Sequence, residues 1–208
     1  MLFRSPQLDD VTAVVYAGNW GARARDALGR VYGSGIDQVD VDVVSEAGLL
    51  DRVEVNARLE GAIDDGIRFI NQSPLADLTS RVTETWFGTG SIEARGQVIV
   101  PLAQQPNRTT HADVTVTLSG NELVMPNYQL DARDVRTVLT YSNEAGLGAE
   151  AYTANLLDGR VSGNIESDVY GDRGEIRVVA AGEVAVSRLY RSEEHTSELQ
   201  SPCNLVCR

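Results

Sequence analysis

The run Val53-Glu-Val-Asn-Ala-Arg-Leu-Glu-Gly-Ala-Ile63 decides the fold class. Its odd positions are apolar or small, and most of its even positions are charged or polar. Successive side chains of an extended strand point to opposite faces of a sheet. A period of two therefore predicts a strand with one dry face and one wet face. The pattern recurs outward in both directions. Val11, Ala13 and Val15 alternate, as do Val39, Val41 and Val43. Ile92, Ala94, Gly96, Val98 and Val100 alternate with Glu93, Arg95 and Gln97. Val114, Val116 and Leu118 alternate with Thr115, Thr117 and Ser119. Val161, Gly163 and Ile165 face away from Arg160, Ser162, Asn164 and Glu166, and residues 176–186 put Ile176, Val178, Ala180, Gly182, Val184 and Val186 on one side. Sheets wet on one face only are typically antiparallel. The expected fold is all-β and mostly antiparallel.

Turn signals separate these runs at Asn71-Gln72, Gly88-Thr-Gly90, Gln105-Pro-Asn107, Gly120-Asn121, Asn143-Glu-Ala-Gly146 and Gly171-Asp-Arg-Gly174. One segment reads as a helix. Ser73 suits the cap, Pro74 the first helical position, and Leu75, Leu78, Val82 and Trp86 fall at helical spacing. A short helix is expected near 74–86. There is also an internal echo. Ala24-Arg-Asp-Ala-Leu-Gly-Arg-Val-Tyr-Gly33 resembles Ala154-Asn-Leu-Leu-Asp-Gly-Arg-Val-Ser-Gly163, and strand 53–63 is echoed by 176–186. The echo suggests two repeat-like units, about 1–72 and 87–190, joined by a helix at 73–86.

The chain has 208 residues, a formal net charge of −12 and 42% apolar residues, enough for a packed core. All 18 cationic residues are arginine, so lysine chemistry is excluded. The acidic balance argues against a nucleic-acid partner, which needs clustered cations, and disfavours tight docking on an anionic bilayer. No apolar run approaches the roughly 20 residues of a membrane-spanning helix, and no signal peptide opens the sequence.

Residues 191–208 stand apart. Arg191 to Ser201 reads as a translated sequencing adapter, and the rest of the tail as its continuation. Such scars lie outside fold reasoning. Cys203, Cys207 and His195 all fall there, so a zinc or disulfide reading of them is set aside. Arg191 and Arg208 against Glu193, Glu194 and Glu198 leave the tail at −1 and the body, 1–190, at −11. The body is expected to be an internal piece of a longer protein, since no recognisable N-terminal region follows Met1 and residue 190 falls within a strand pattern.

Several stretches resemble the YhdP family, the AsmA-like proteins of the Gram-negative envelope. They are Phe69-Ile-Asn-Gln-Ser-Pro-Leu75, Gly90 to Leu102, Leu118 to Pro126, Leu130 to Tyr141, and Gly146 to Gly163. The ordered set of "SPL", "VPL" and "A-x-LL-x-G-x-V-x-G" elements carries the resemblance over roughly 22–189. The family often shows Leu-Phe-Gly where this chain has Leu157-Asp158-Gly159, and a glycine where Arg136 or Thr137 stands here. The resemblance implies an elongated, curved sheet forming an open groove. It implies a periplasmic location, with an inner-membrane anchor in the full-length protein. The implied partners are phospholipid acyl chains passing between inner and outer membranes, with no enzymatic activity and no cofactor. The groove-lining candidates are then Val53, Val55, Leu59, Val98, Val100, Val114, Val116, Leu118, Val161, Ile165, Ile176 and Val178. Small residues such as Ala94, Gly96, Ala180 and Gly182 leave width for a chain.

Two alternatives stay open: a structural or adhesive envelope β-repeat without ligand, and a carbohydrate-binding β-sandwich with an aromatic platform at Trp20 or Trp86. Catalytic and metal readings are thin. His111 is the only histidine of the body, without an identifiable nucleophile or carboxylate partner, and reads as a polar loop or strand-edge residue. Asp9-Asp10, Asp64-Asp65 and Asp131-x-x-Asp134 lack the spacing of calcium loops and read as acidic turns. Asn107-Arg-Thr109 matches a glycosylation sequon, which the bacterial origin implied by the resemblance would make idle. Gly88-Thr-Gly90 precedes a strand rather than a helix and so fails as a phosphate loop.

Overall fold

The computed structural model describes residues 7–19, 21–46, 49–72, 81–102, 109–170 and 173–183. Eleven strands and one α-helix follow in order: β1 (Leu8–Gly18), β2 (Gly21–Val31), β3 (Ser34–Glu46), β4 (Leu49–Ala62), α1 (Ile63–Gln72), β5 (Phe87–Thr89), β6 (Ser91–Pro101), β7 (His111–Met125), β8 (Leu130–Ser142), β9 (Gly146–Leu156), β10 (Gly159–Tyr170) and β11 (Arg173–Gly182). They form one antiparallel sheet in the order β1-β2-β3-β4-β6-β7-β8-β9-β10-β11. The sheet is open, with β1 and β11 as its two edges. β5 pairs the far half of β7, so β5 and β6 lie along β7 like one strand broken at Gly90.

Each alternating run of the sequence is a strand as far as it is described: 53–63 gives way to α1 at Ile63, and 176–186 is β11 to Gly182, with 184–186 outside the described residues. Three further strands, β2, β8 and β9, are hidden from a period-two reading because their alternation changes parity midway. Each break is a β-bulge. The register slips between Ala24 and Ala27 of β2 and between Arg133 and Arg136 of β8, and Asp26 (φ 48°) and Asp134 (φ 48°) sit inside the slips. Asp10 (φ 52°) and Gly120 (φ 84°) occupy the corresponding slips of β1 and β7. Aspartate tolerates the left-handed region better than most residues, and glycine enters it freely. The expected turn at Gly120-Asn121 is therefore a bulge inside β7. Bulges bend a strand and raise its twist, which curls a long sheet that simple pleating leaves flatter.

The bulge amides have partners. The Asp26 N–H donates to Asp40 Oδ1 at 3.1 Å. Asn121, buried, accepts from the Ser119 N–H at 2.8 Å and donates to the Ser91 carbonyl at 2.8 Å. A Cβ at Gly90 would lie 2.7 Å from the Asn121 amide, so glycine is needed there, and its φ of 103° reinforces the requirement. That accounts for Gly88-Thr-Gly90 without a phosphate.

The "A-x-LL-x-G-x-V-x-G" element is the β9–β10 hairpin. Leu157 (φ 51°) and Asp158 (φ 63°) make its two-residue turn, the left-handed pair that matches strand twist. Asp158 suits this position by the same tolerance. Ala154 and Val161 pair across the hairpin, both buried. In the echoed segment, Gly29 to Val31 instead ends β2, so the two Gly-Arg-Val copies occupy different local structures.

The one α-helix is not where the cap and proline signals put it. Of the expected span 74–86, residues 74–80 lie outside the described residues, and 81–85 form turns rather than helix. The helix is α1, starting at Ile63, where strand alternation had been carried one residue too far. Ile63, Gly66, Ile67 and Ile70 sit at positions i, i+3, i+4 and i+7, and Asp64 and Asp65 complement the positive helix start. Ile63 and Ile67 are buried in the core cluster with Leu118, Ala132, Val135, Ala154 and Val161.

Candidate functional site

Residues directly paired across strands share a face. Following the register, Val43 of β3 pairs Val53 of β4, which pairs Val100 of β6. The next row is Val41, Val55, Val98 and Ala112. Then come Val39, Ala57, Gly96, Val114, Tyr141 and Leu147, followed by Ile36, Leu59, Ala94, Val116 and Leu139. Nearest α1 runs Gly61, Ile92, Leu118, Thr137, Tyr152, Gly163 and Ala180. On the last strands Val161 pairs Ala154, and Ile165 pairs Ala149 and Val178. Ile176 lies two residues from Val178 and so faces the same way.

All twelve candidates therefore lie on one face, which is apolar in nearly every row from β3 to β11. The bulges preserve this: each restores the apolar side after a parity break, as Ala24 and Ala27 do around Asp26. Leu139, Tyr141, Leu147 and Tyr152 belong to the same face, and alternation alone misses them because of those breaks. For Leu139 and Tyr141 the sequence signal is Asp134 at the break; the slip of β9 between Gly148 and Tyr152 carries no such residue.

The face is not uniformly sealed. Leu118 and Val161 are buried, 5% exposed each. Val53, Val55, Leu59, Val98, Val114, Val116 and Ile165 are half-buried. Val100, Val178 and Ile176 are exposed at 37%, 37% and 40%. Among the described residues, α1 covers one end of the strands, with the turn 81–86 beside it: Thr83 Oγ1 donates to Asn71 Oδ1 at 2.6 Å, and Trp86 packs against the core cluster.

Backbone and side-chain contacts tie α1 there. The Ile63 N–H donates to the Gly90 carbonyl at 3.0 Å. A Cβ on Gly88 would come within 2.9 Å of Ile63 Cγ2, and one on Gly66 within 2.8 Å of Ile92 Cδ1, so both glycines let the helix sit close to the strands. At the other side of α1, Asp65 Oδ2 accepts from Ser34 Oγ at 2.7 Å and from the Gly33 N–H at 3.1 Å. Tyr32 donates from its hydroxyl to Gln72 Oε1 at 2.8 Å, and the Arg68 guanidinium stands 4.1 Å above the Tyr32 ring centre.

The opposite face is charged. Arg25 Nη2 donates to both oxygens of Asp42 at 2.7 and 2.9 Å, and Arg23 Nε lies 3.3 Å from the same carboxylate. The hydrogen bonds from Arg25 hold the Asp42 carboxyl below its ordinary range, and those to Asp42 raise Arg25. Arg52 donates to Asp51 at 2.9 Å and to Glu54 at 2.6 Å. Tyr152 is different: burial pushes its hydroxyl above the usual phenol range, and that hydroxyl donates to the Val179 carbonyl at 3.0 Å. It crosses β10 at Gly163, where a Cβ would collide with the Val179 carbonyl.

The remaining candidate groups have structural roles. His111 opens β7, its Nε2 2.8 Å from Asp113 Oδ2 on the exposed surface. Asp10 and Asp134 are bulge residues, and Asp64-Asp65 begins α1. Among the described residues no group of His, Cys, Asp and Glu could hold a metal ion. Trp86 packs against the core cluster and meets Tyr128 edge-on at 6.4 Å, so its ring is not a free platform. Trp20, the 107–108 part of the sequon, "SPL" and the tail 191–208 lie outside the described residues. No helix of the described residues is long and apolar enough to cross a membrane.

The family description "YhdP protein" matches residues 6–200. No curated protein and no solved structure matches the chain. An open antiparallel sheet with a continuous apolar face, matched along almost its whole length, means that the chain belongs to the YhdP family.

Proposed function

We propose that this chain is a section of a periplasmic hydrophobic groove along which phospholipid passes between inner and outer membranes. Acyl chains lie on the apolar face and head groups stay in water. The observation that carries this reading is the half-open apolar face. The strands from β3 to β11 present apolar side chains on one side, and many of them remain accessible where an ordinary core would seal them. Soluble proteins rarely leave so extended an apolar surface bare, and each methylene taken from water contributes about 0.8 kcal/mol. Family membership supports the same reading, since AsmA-like proteins are implicated in lipid transport. The process is binding and sliding, with no bond made or broken.

Photo-crosslinking in intact cells tests it. A photoreactive side chain at Val114 or Ile176 should give phospholipid adducts, and one at Thr115, on the wet face, should not. Absence of adducts at Val114 and Ile176, with adducts in a control lipid transporter, overturns the groove and leaves a structural envelope β-protein.

A further inference from the structure

The apolar face divides into two parts. At the α1 end, Val31, Ile36 and Leu118 are buried. At the other end, Val53, Val55 and Val98 are half-buried and Val100 is exposed. The contacts of α1 trace its path. It begins at Gly88 and Gly90, passes Ile92 at Gly66, and keeps one side along the β2–β3 turn, from Asp65 in its first turn to Gln72 at its end. Its buried side, Ile63 and Ile67, packs in the core cluster with Leu118, Ala132, Val135, Ala154 and Val161, so the helix lies over that end of the apolar face.

While Ile63 and Ile67 pack in the core, the other side of the helix is held by polar groups at the rim. Tyr32, Gly33 and Ser34 contribute four contacts to Asp65, Arg68 and Gln72. Tyr32 makes its contacts from a left-handed backbone, φ 55°, which is unfavourable for a bulky side chain. Strain of this kind persists only where surrounding contacts hold it, and it collects at clamps and switches. Here the strained turn aims the tyrosine ring at α1.

We propose that α1 is a latched crossbar: it closes the near part of the apolar face, around Leu118, to a guest and confines the bound acyl chain to the part away from α1, where Val53, Val98, Val100, Val114 and Ile176 lie. This rests on the groove reading. The latch is the Tyr32-Gly33-Ser34 turn on Asp65, Arg68 and Gln72. Releasing it uncovers the near part.

Single cysteines in the full chain, with Cys203→Ser and Cys207→Ser, separate the two ideas. Without lipid, a soluble maleimide should label Val98→Cys about ten-fold faster than Leu118→Cys. Adding Asp65→Ala and Tyr32→Gly should bring Leu118→Cys to within about three-fold of Val98→Cys. If that pair prevents folding, judged by circular dichroism, Arg68→Ala with Gln72→Ala removes two exposed latch contacts and serves the same comparison. Equal labelling of the two sites in the latched chain, or no change on unlatching a folded one, overturns the crossbar. With vesicles of phosphatidylethanolamine and phosphatidylglycerol carrying a photoactivatable acyl chain, adducts should form at Val98→Cys alone when latched, and at both sites when unlatched. Adducts at both sites in the latched chain overturn the crossbar and leave the groove. Adducts at neither site in either background overturn the groove and this proposal with it.

Discussion

Single aspartates do work here that their charge does not suggest. Asp10, Asp26 and Asp134 occupy left-handed bulge positions, where a β-branched residue costs about 1–2 kcal/mol more. Asp134→Val should therefore lower stability by about 1–2 kcal/mol. Asp134→Gly should be about neutral, because its ion pair with Arg136 is exposed and contributes roughly 0–1 kcal/mol. Urea unfolding midpoints of both variants check this. Asp42 makes a second case. Its folded carboxyl titrates below the ordinary 3.8, so the Arg25 pair stabilises the chain above that value. The contribution falls away as pH drops through the folded pKa. Asp42→Asn should then be less stable than the natural chain at pH 7, and the gap should narrow as pH falls below 3.8. A gap that stays constant over that fall would contradict the assignment.

At the scale of elements, α1 rests on two buried isoleucines and an exposed polar latch. Ile67→Ala removes one of the two and should cost about 2–5 kcal/mol if the site cannot collapse. Thermal unfolding measures it, and a cost below about 1 kcal/mol would mean that α1 is not integral to the core. The helix also shows how local signals mislead. Ser73-Pro74 is a strong start signal, but Ile63, Gly66, Ile67 and Ile70 carry the buried stripe. Strand periodicity and helix periodicity overlap at Ile63, so the boundary is invisible to either pattern alone. β2, β8 and β9 were obscured for the same kind of reason, since one bulged residue inverts the parity of everything after it.

At the scale of the molecule, the sheet stays open and its edges stay free within the described residues. β1 exposes Val11, Val14, Val15 and Tyr16 at one edge, and β11 exposes Ile176 and Val178 at the other. Such edges present unpaired backbone groups that accept a further strand. The adduct pattern expected from Val114 and Ile176 is a statement at this scale, because those residues lie four strands apart and meet one guest only if the face between them is continuous.

By itself the amino-acid sequence determined that the protein is all-β, antiparallel and two-faced, because side-chain alternation is a local property and is read off any uninterrupted run. Within these 208 residues it also holds no lysine and no apolar run long enough for a membrane-spanning helix, and its motifs resembled the right family. The tertiary structure decided what no local pattern contains: which runs pair, where bulges restore the dry side, and that α1 lies over one end of it. It also decided that the apolar face is part sealed and part bare. Burial depends on what stands opposite a side chain, and for this face that is set by residues tens of positions away in sequence.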